Sequence, residues 1–431
     1  MKFLNLKKYV FVGLMLVGWG MPWSFTHAAS KDETFNLKDL LEEAMQKNPN
    51  KKAAEFDAQS MKAQIGPSGS YEDPMVAFKW KDYPVDNLSR HRFGMTGDEL
   101  SVSQKIPFPG KLTKKRSATR SLYAAKDHMY QDTRLNVIKD VKTAYYELFL
   151  AYKNNDILTE QKKVIRNLIE VVRSRYTVGK VSQAELLNFQ IEGAKLTEAL
   201  LKSEQEIETQ IAMLEDRLGR EKSELKGRPE AFQSTPFDFK KITANLLLQK
   251  AMTHNFGLKA KDAVQKSTSS QLTVSKLGYF PDFAVMGAYT FRYGAPSDPG
   301  TDFVSAQVGM TVPLWFINKQ REEVKSSRAK HAQATAQVEA ARNQLMKNVR
   351  SEYAALVQAS KSIDLYKNGL LPLAKQSVSS GRASYLTGQL DYLSLLNLIH
   401  TRFQTEYDYY KNLVKYETKI AELQVFVGGD L

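Results

Sequence analysis

The chain has 431 residues, no cysteine, and a formal net charge of +14, with a quarter of its residues charged. The lack of cysteine excludes disulfides, thiolate metal sites, thiol catalysis and a lipid-modified N-terminal Cys. The basic residues are interspersed with Glu and Asp along helical stretches, which marks solvated helix faces, so no nucleic-acid partner is expected.

Residues 1–28 read as a secretory signal. Lys2, Lys7 and Lys8 precede an apolar run from Val10 to Gly20, and Thr26-His27-Ala28 supplies small residues for cleavage. The alternative is an uncleaved anchor, though the apolar run is short for a bilayer span. Removal of the segment would lower the charge to about +11, because it carries three lysines and no acid. No later apolar run approaches ~18 residues, so no transmembrane helix is expected.

A first structural unit, 29–220, opens with a helix from Asn36 to Gln64, where Leu37, Leu40, Leu41, Ala44 and Met45 recur at helical spacing. Gly66-Pro67 ends it. Two strands are expected at 75–83 and 99–106. In the first, Val76, Phe78 and Trp80 alternate with Ala77, Lys79 and Lys81; in the second, Leu100, Val102, Gln104 and Ile106 alternate with Glu99, Ser101, Ser103 and Lys105. A helical hairpin follows over 111–218. Lys111 to Thr177 has neither proline nor glycine and would extend about 100 Å as a helix. The return helix, Ser182 to Leu218, places Leu200, Ile207 and Leu214 at one heptad position and Ile211 and Leu218 at another, a coiled-coil seam.

A linker over 221–241, rich in Pro, Gly and charge, leads to a second unit, 242–431. It has strands at 283–293 and 302–312 and a hairpin over 319–427, in which Leu370-Leu371-Pro372 predicts a kink. The second unit repeats the first. Tyr176 to Lys180 with Glu185 to Asn188 returns as Tyr385 to Gln389 with Ser394 to Asn397, so that Gly388 follows Gly179 by 209 residues. Ala44 and Asn48 recur as Ala251 and Asn255, Tyr145 as Tyr353, and Pro107 as Pro313, in the same order. An internal duplication of this length makes two halves rather than a solenoid.

The four alternating runs have the length of membrane-spanning β-strands, but a small sheet with one buried face would read alike. Trp80, Tyr289, Phe291 and Tyr293 are candidates for an interfacial aromatic girdle, or for a soluble core. Four strands cannot close a barrel, and bacterial outer-membrane barrels begin at about eight strands, so spanning strands would require several copies to share one. Three copies give twelve, and the hairpins would then form a second, helical tube.

Ala44 to Pro49, Ser103 to Lys111, Tyr176 to Asn188 and Tyr385 to Asn397, in this duplicated order, resemble the TolC-like outer-membrane efflux proteins. The resemblance runs from about Phe35 to Gly428, and the Ile-Pro-Phe-Pro-Gly-Lys phrase is most similar to the heavy-metal branch of CzcC and CusC. It implies an α+β membrane protein: a homotrimer whose twelve-stranded β-barrel, four strands per protomer, lies in outer-membrane lipid and continues as a long α-helical coiled-coil barrel across the periplasm. It also implies a periplasmic adaptor and an inner-membrane pump, of the RND type, as partners. The adaptor would meet the hairpin tips near Val178, Gly179 and Lys180, and near Thr387, Gly388 and Gln389.

Family members often narrow the periplasmic end with aspartate rings six and nine residues after the turn glycine. Those positions hold Glu185 and Asn188 in the first half and Ser394 and Asn397 in the second, so the second-half aspartates are absent. Asp391, one turn earlier, either substitutes as a cation-favouring ring or caps its helix. The six histidines, His27, His91, His128, His254, His331 and His400, show no ligand spacing, methionine is dispersed, and no catalytic set or phosphate loop emerges. No metal site, cofactor or enzymatic activity is expected. The expected function is the passive exit duct of a tripartite efflux system; the rivals are the outer-membrane component of type I protein secretion and a pore-less periplasmic coiled-coil scaffold.

Overall fold

The computed structural model describes residues 34–220 and 225–431; the signal segment 1–28 lies outside the described residues. In chain order the elements are β1 (Thr34–Phe35), α1 (Leu37–Lys47), α2 (Pro49–Ala63), α3 (Ile65–Ser68), β2 (Met75–Lys81), β3 (Gly97–Ile106), α4 (Lys111–Thr177) and α5 (Gln183–Leu218). There follow β4 (Arg228–Pro229), α6 (Ala244–His254), α7 (Phe256–Leu277), β5 (Phe283–Arg292), β6 (Phe303–Met310), α8 (Gln320–Leu365), a π-helical turn (Tyr366–Leu370), α9 (Leu371–Thr387) and α10 (Tyr392–Val427).

The helix expected over Asn36 to Gln64 is two helices. Asn48 ends α1 and caps α2, accepting from the Lys51 N–H at 3.1 Å, with Pro49 in the first turn where its missing N–H costs nothing. Asn255 does the same between α6 and α7, accepting from Leu258 N–H at 2.8 Å. Both asparagines also donate their amide to the end of a return helix: Asn48 to the Arg217 carbonyl at 2.8 Å, Asn255 to the Phe426 carbonyl at 3.2 Å. Each return helix ends there on a left-handed glycine, Gly219 at φ +77° and Gly428 at φ +79°.

The strands form one antiparallel sheet in the order β2-β3-β5-β6. The first strand stops at Lys81, two residues short of the expected end, because Asp82 takes φ +55° and cannot continue an extended chain. Register puts Phe78 opposite Leu100, Leu100 opposite Tyr289, and Tyr289 opposite Val304. Directly paired residues share a face, so Val76, Phe78, Leu100, Val102, Val285, Tyr289, Val304 and Val308 all lie on one side. Every one of them is exposed, from 37% for Val285 to 79% for Val304. The other face carries Lys79 opposite Glu99, Glu99 opposite Thr290, and Ser305 opposite Ala288. An apolar outside and a polar inside is the pattern of a strand between lipid and a wet lumen. Strands β2 and β6 each leave one edge unpaired among the described residues.

Away from the sheet, α4 runs unbroken through 67 residues and packs on α5, α7 and α10. Leu214 and Leu218 of the expected seam are fully buried and Ile207 nearly so; each such side chain contributes about 1.5–3 kcal/mol of burial. The predicted break at Leu370-Leu371-Pro372 is the π turn, with Pro372 in the first turn of α9. The linker and Ile242 just after it are strapped to the helices by tyrosines. Tyr145, Tyr152, Tyr353 and Tyr416 donate to the carbonyls of Glu230, Gly227, Ile242 and Thr235, at 3.2, 3.1, 3.2 and 2.8 Å. Phe232 fills the space between Tyr146 and Phe149, 4.7 Å from each ring. A parallel pairing, β1 with β4, anchors the same strap to the residues just before α1.

Candidate functional site

The end of the molecule farthest from the sheet is made of two turns, one between α4 and α5 and one between α9 and α10. Gly179 (φ +71°) and Gly388 (φ +79°) terminate the descending helices in the left-handed region, where a side chain would cost about 1–2 kcal/mol. A Cβ at either glycine would meet open space, so backbone conformation alone selects glycine there. Val178, Lys180, Thr387 and Gln389 around them are exposed, Val178 to 65%. Leu386 and Leu393 add exposed apolar surface beside them.

Each return helix then begins with a side-chain cap. Ser182 accepts from Glu185 N–H at 3.2 Å, and Asp391 accepts from Ser394 N–H at 2.7 Å. Asp391 also takes the Ser394 hydroxyl at 2.9 Å. These bonds, the backbone one foremost, hold the Asp391 carboxyl below its ordinary range, so it stays ionised. Asp391 therefore caps α10 and remains exposed while doing so; the capping alternative describes its contacts.

The remaining entrance candidates divide by environment. Asn397 is exposed, Ser394 half-buried. Glu185 and Asn188 are tied to the other half of the chain. The Tyr385 hydroxyl donates to Glu185, and the Asn188 amide donates to the Tyr392 hydroxyl at 2.9 Å. Arg175 completes the junction: its guanidinium donates to the Tyr385 carbonyl at 2.9 Å and lies 5.4 Å from the ring centre. Burial, then the adjacent Glu185, pushes the Tyr385 phenol well above its ordinary range, so the proton stays on the phenol as donor. Beneath this junction Val172, Phe189, Leu395 and Ile399 pack into a dry core shared by both halves. Sequence reasoning had not singled out Arg175, Tyr385 or Tyr392 as site residues. The signal was that Tyr385 opens the repeated phrase, yet its partner sits 200 residues away.

One turn row higher, Glu192 of α5 meets the Nε2 of His400 at 2.9 Å, and Gln161 of α4 bonds His400 Nδ1 at 3.2 Å. Among the described residues no group of three His, Asp or Glu could hold a metal ion, and no helix is long and apolar enough to cross a membrane.

At the opposite end, Trp80 is 71% exposed and meets Phe78 edge-on at 5.9 Å. Tyr289 and Phe291 lie together at 4.6 Å on the apolar face, and the Tyr289 hydroxyl donates to Asp302 at 2.7 Å. Tyr293 is placed differently. It sits past the end of β5, half-buried, donating to Asp98 beside His91, with Arg90 over its ring. It holds the β2–β3 and β5–β6 loops together.

A family model described as outer membrane efflux protein matches residues 40–220 and 247–429 of the chain. The outer membrane protein TolC of Escherichia coli is 21% identical over 414 residues, 92% of this chain and 81% of that protein. The solved structure of VceC from Vibrio cholerae superposes with a TM-score of 0.77 at 18% identity, covering 91% of this chain and 96% of VceC. CusC, described as forming a transmembrane channel, superposes with a TM-score of 0.77 at 16% identity, covering 91% and 92% of the two chains.

Proposed function

We propose a function from the premise that the chain belongs to the outer membrane efflux protein family. It is an outer-membrane channel, the exit duct of a tripartite efflux system, with its helical part in the periplasm. The observation that carries the mechanism is the sheet. Its apolar face is exposed and both edges are unpaired among the described residues, a state that lipid tolerates only if the edges meet further strands. Three copies joined β6 to β2 give a closed barrel of twelve strands, and the long helices descending from each copy form a tube in register with it.

The duct is passive. Energy comes from an inner-membrane pump of the RND type, coupled through a periplasmic adaptor that docks on the exposed tips at Val178, Gly179, Lys180, Thr387, Gly388 and Gln389. The gate lies just above these turns. Glu185 and Asn188, held by Tyr385 and Tyr392, fix α5 to the second hairpin, and three such junctions constrict the tube. Asp391, ionised and exposed beside Ser394 and Asn397, gives the entrance a cation preference. Trp80, Tyr289 and Phe291 seat the barrel at the lipid interface. The cargo is small molecules or metal cations; the likeness of the Ile-Pro-Phe-Pro-Gly-Lys phrase to the heavy-metal branch favours the latter.

Reconstitution of the purified trimer into planar bilayers tests this. Discrete conductance steps with a cation bias are expected. A trimer that inserts without conducting would favour the scaffold, and export of a polypeptide with an ABC pump in place of an RND pump would favour secretion.

A further inference from the structure

At the periplasmic rim of the sheet, β6 gives way to a turn over residues 311–319 before α8 begins. A recess of about 400 Å³ opens there. Gln320 lines it, is only 9% exposed, and its side-chain oxygen Oε1 is buried without a hydrogen-bond partner. Such an orphan acceptor costs about 1–3 kcal/mol unless something donates to it. Lys319 and Glu323 line the same recess one turn apart, and neither has an ion-pair partner among the described residues. A second lysine, Lys111, is already engaged, donating to both oxygens of Asp282 at 2.8 and 2.9 Å. Val312, Leu314 and Trp315 form the outer lip and are 60%, 72% and 75% exposed. Val312 and Leu314 continue the alternation that puts Val308 and Met310 on the apolar face.

Among the described residues, one cation and one anion without ion-pair partners and one orphan acceptor thus lie under an apolar lip at the end of β6 that leads into the helices. We infer that this recess binds the head group of a zwitterionic phospholipid bearing a primary ammonium, phosphatidylethanolamine, from the periplasmic leaflet. The phosphate meets Lys319, the ammonium donates to Gln320 Oε1 and to Glu323, and the acyl chains run along Val312, Leu314 and Trp315. A phosphatidylglycerol head group has hydroxyls to donate to Gln320 but no cation to meet Glu323. A choline head group has the charge but no N–H to donate. The inference rests on the reading of β6 as a membrane-spanning strand.

Native mass spectrometry of the delipidated, intact trimer, titrated with phosphatidylethanolamine, phosphatidylglycerol and phosphatidylcholine of identical chains, tests it. Phosphatidylethanolamine should bind about tenfold more tightly, the difference of one charge-assisted contact. Gln320→Met and, separately, Glu323→Gln should bring it down to the level of the other two with the trimer mass unchanged. Equal binding of the three lipids, or variants without effect, overturns the inference. So does retention of no lipid at all, which would mean that the neighbouring protomer covers the recess. Conductance of the same preparation reports on the channel itself, so failure of that reading is seen separately.

Discussion

The hydroxyl of Tyr385, at the foot of α9, donates to the carboxylate of Glu185, in the first turn of α5. The bond crosses from one half of the chain to the other at the level where the proposed tube is narrowest. A hydrogen bond to a charged acceptor contributes about 1.5–3 kcal/mol, enough to bias a closed state heavily. Tyr385→Phe removes the donor and keeps the ring packed on Phe189. Conductance in planar bilayers should rise severalfold, and Glu185→Gln should act in the same direction with a smaller effect. Conductance equal to that of the unaltered protein would remove this junction from the gate.

The two faces of β3 should tolerate charge very differently. Val102 lies on the exposed apolar face and Ser101 on the polar one. Val102→Arg places a cation in lipid at a cost of up to about 2–4 kcal/mol near the midplane, whereas Ser101→Arg faces water. Trimer yield in outer-membrane fractions should drop for the first and hold for the second. Equal yields would contradict the assignment of faces.

Substitution of the left-handed glycines should separate strain from crowding. At Gly388 a Cβ meets nothing, so Gly388→Ala should cost about 1–2 kcal/mol, from the backbone alone. At Gly428 the added carbon would lie 2.6 Å from the His254 carbonyl oxygen. Gly428→Ala should therefore lower the thermal midpoint clearly more than Gly388→Ala, as read by circular dichroism of the helical part.

Glu417 should give the strap a pH dependence. It accepts from Thr235 N–H at 2.6 Å and the Thr235 hydroxyl at 2.8 Å, while burial, the largest influence, raises its carboxyl above the ordinary 4.5. The folded chain thus holds this proton more tightly than the unfolded one. Its stabilising contribution is complete below about pH 4.5 and fades as the pH climbs through the raised folded value. Glu417→Gln should flatten the decline of the thermal midpoint over that window. An unchanged slope would show that another group governs it.

Much of this architecture could be read from residue order because lipid and lumen impose a strict period of two, and coiled-coil seams a period of seven. The strands, the long helices and the turns at Gly179 and Gly388 carry those periods locally. The break at Asn48-Pro49 was readable as a cap followed by a first-turn proline, but apolar spacing continues through it and masked it. The pairing of Thr34–Phe35 with Arg228–Pro229 spans two residues, too few for any period. The repeat marks Tyr385, but nothing along the chain names Glu185 as its partner, because the contact exists only once the two hairpins lie side by side. Asp391 was ambiguous for a simple reason: a capping carboxylate and a pore-lining one can be the same exposed residue.

The π turn at Tyr366–Leu370 settles a small discrepancy of length. Gly179 follows Tyr145 by 34 residues, whereas Gly388 follows Tyr353 by 35. A turn closed by i→i+5 bonds holds one residue more than its α-helical neighbours, and the π turn falls inside the longer of these two intervals. The surplus residue is swallowed at one place instead of rotating everything below it, and so Tyr385 arrives at the tip still facing Glu185. Excising one residue from 366–370 should rewind the helix into a regular one and leave both ends where they are.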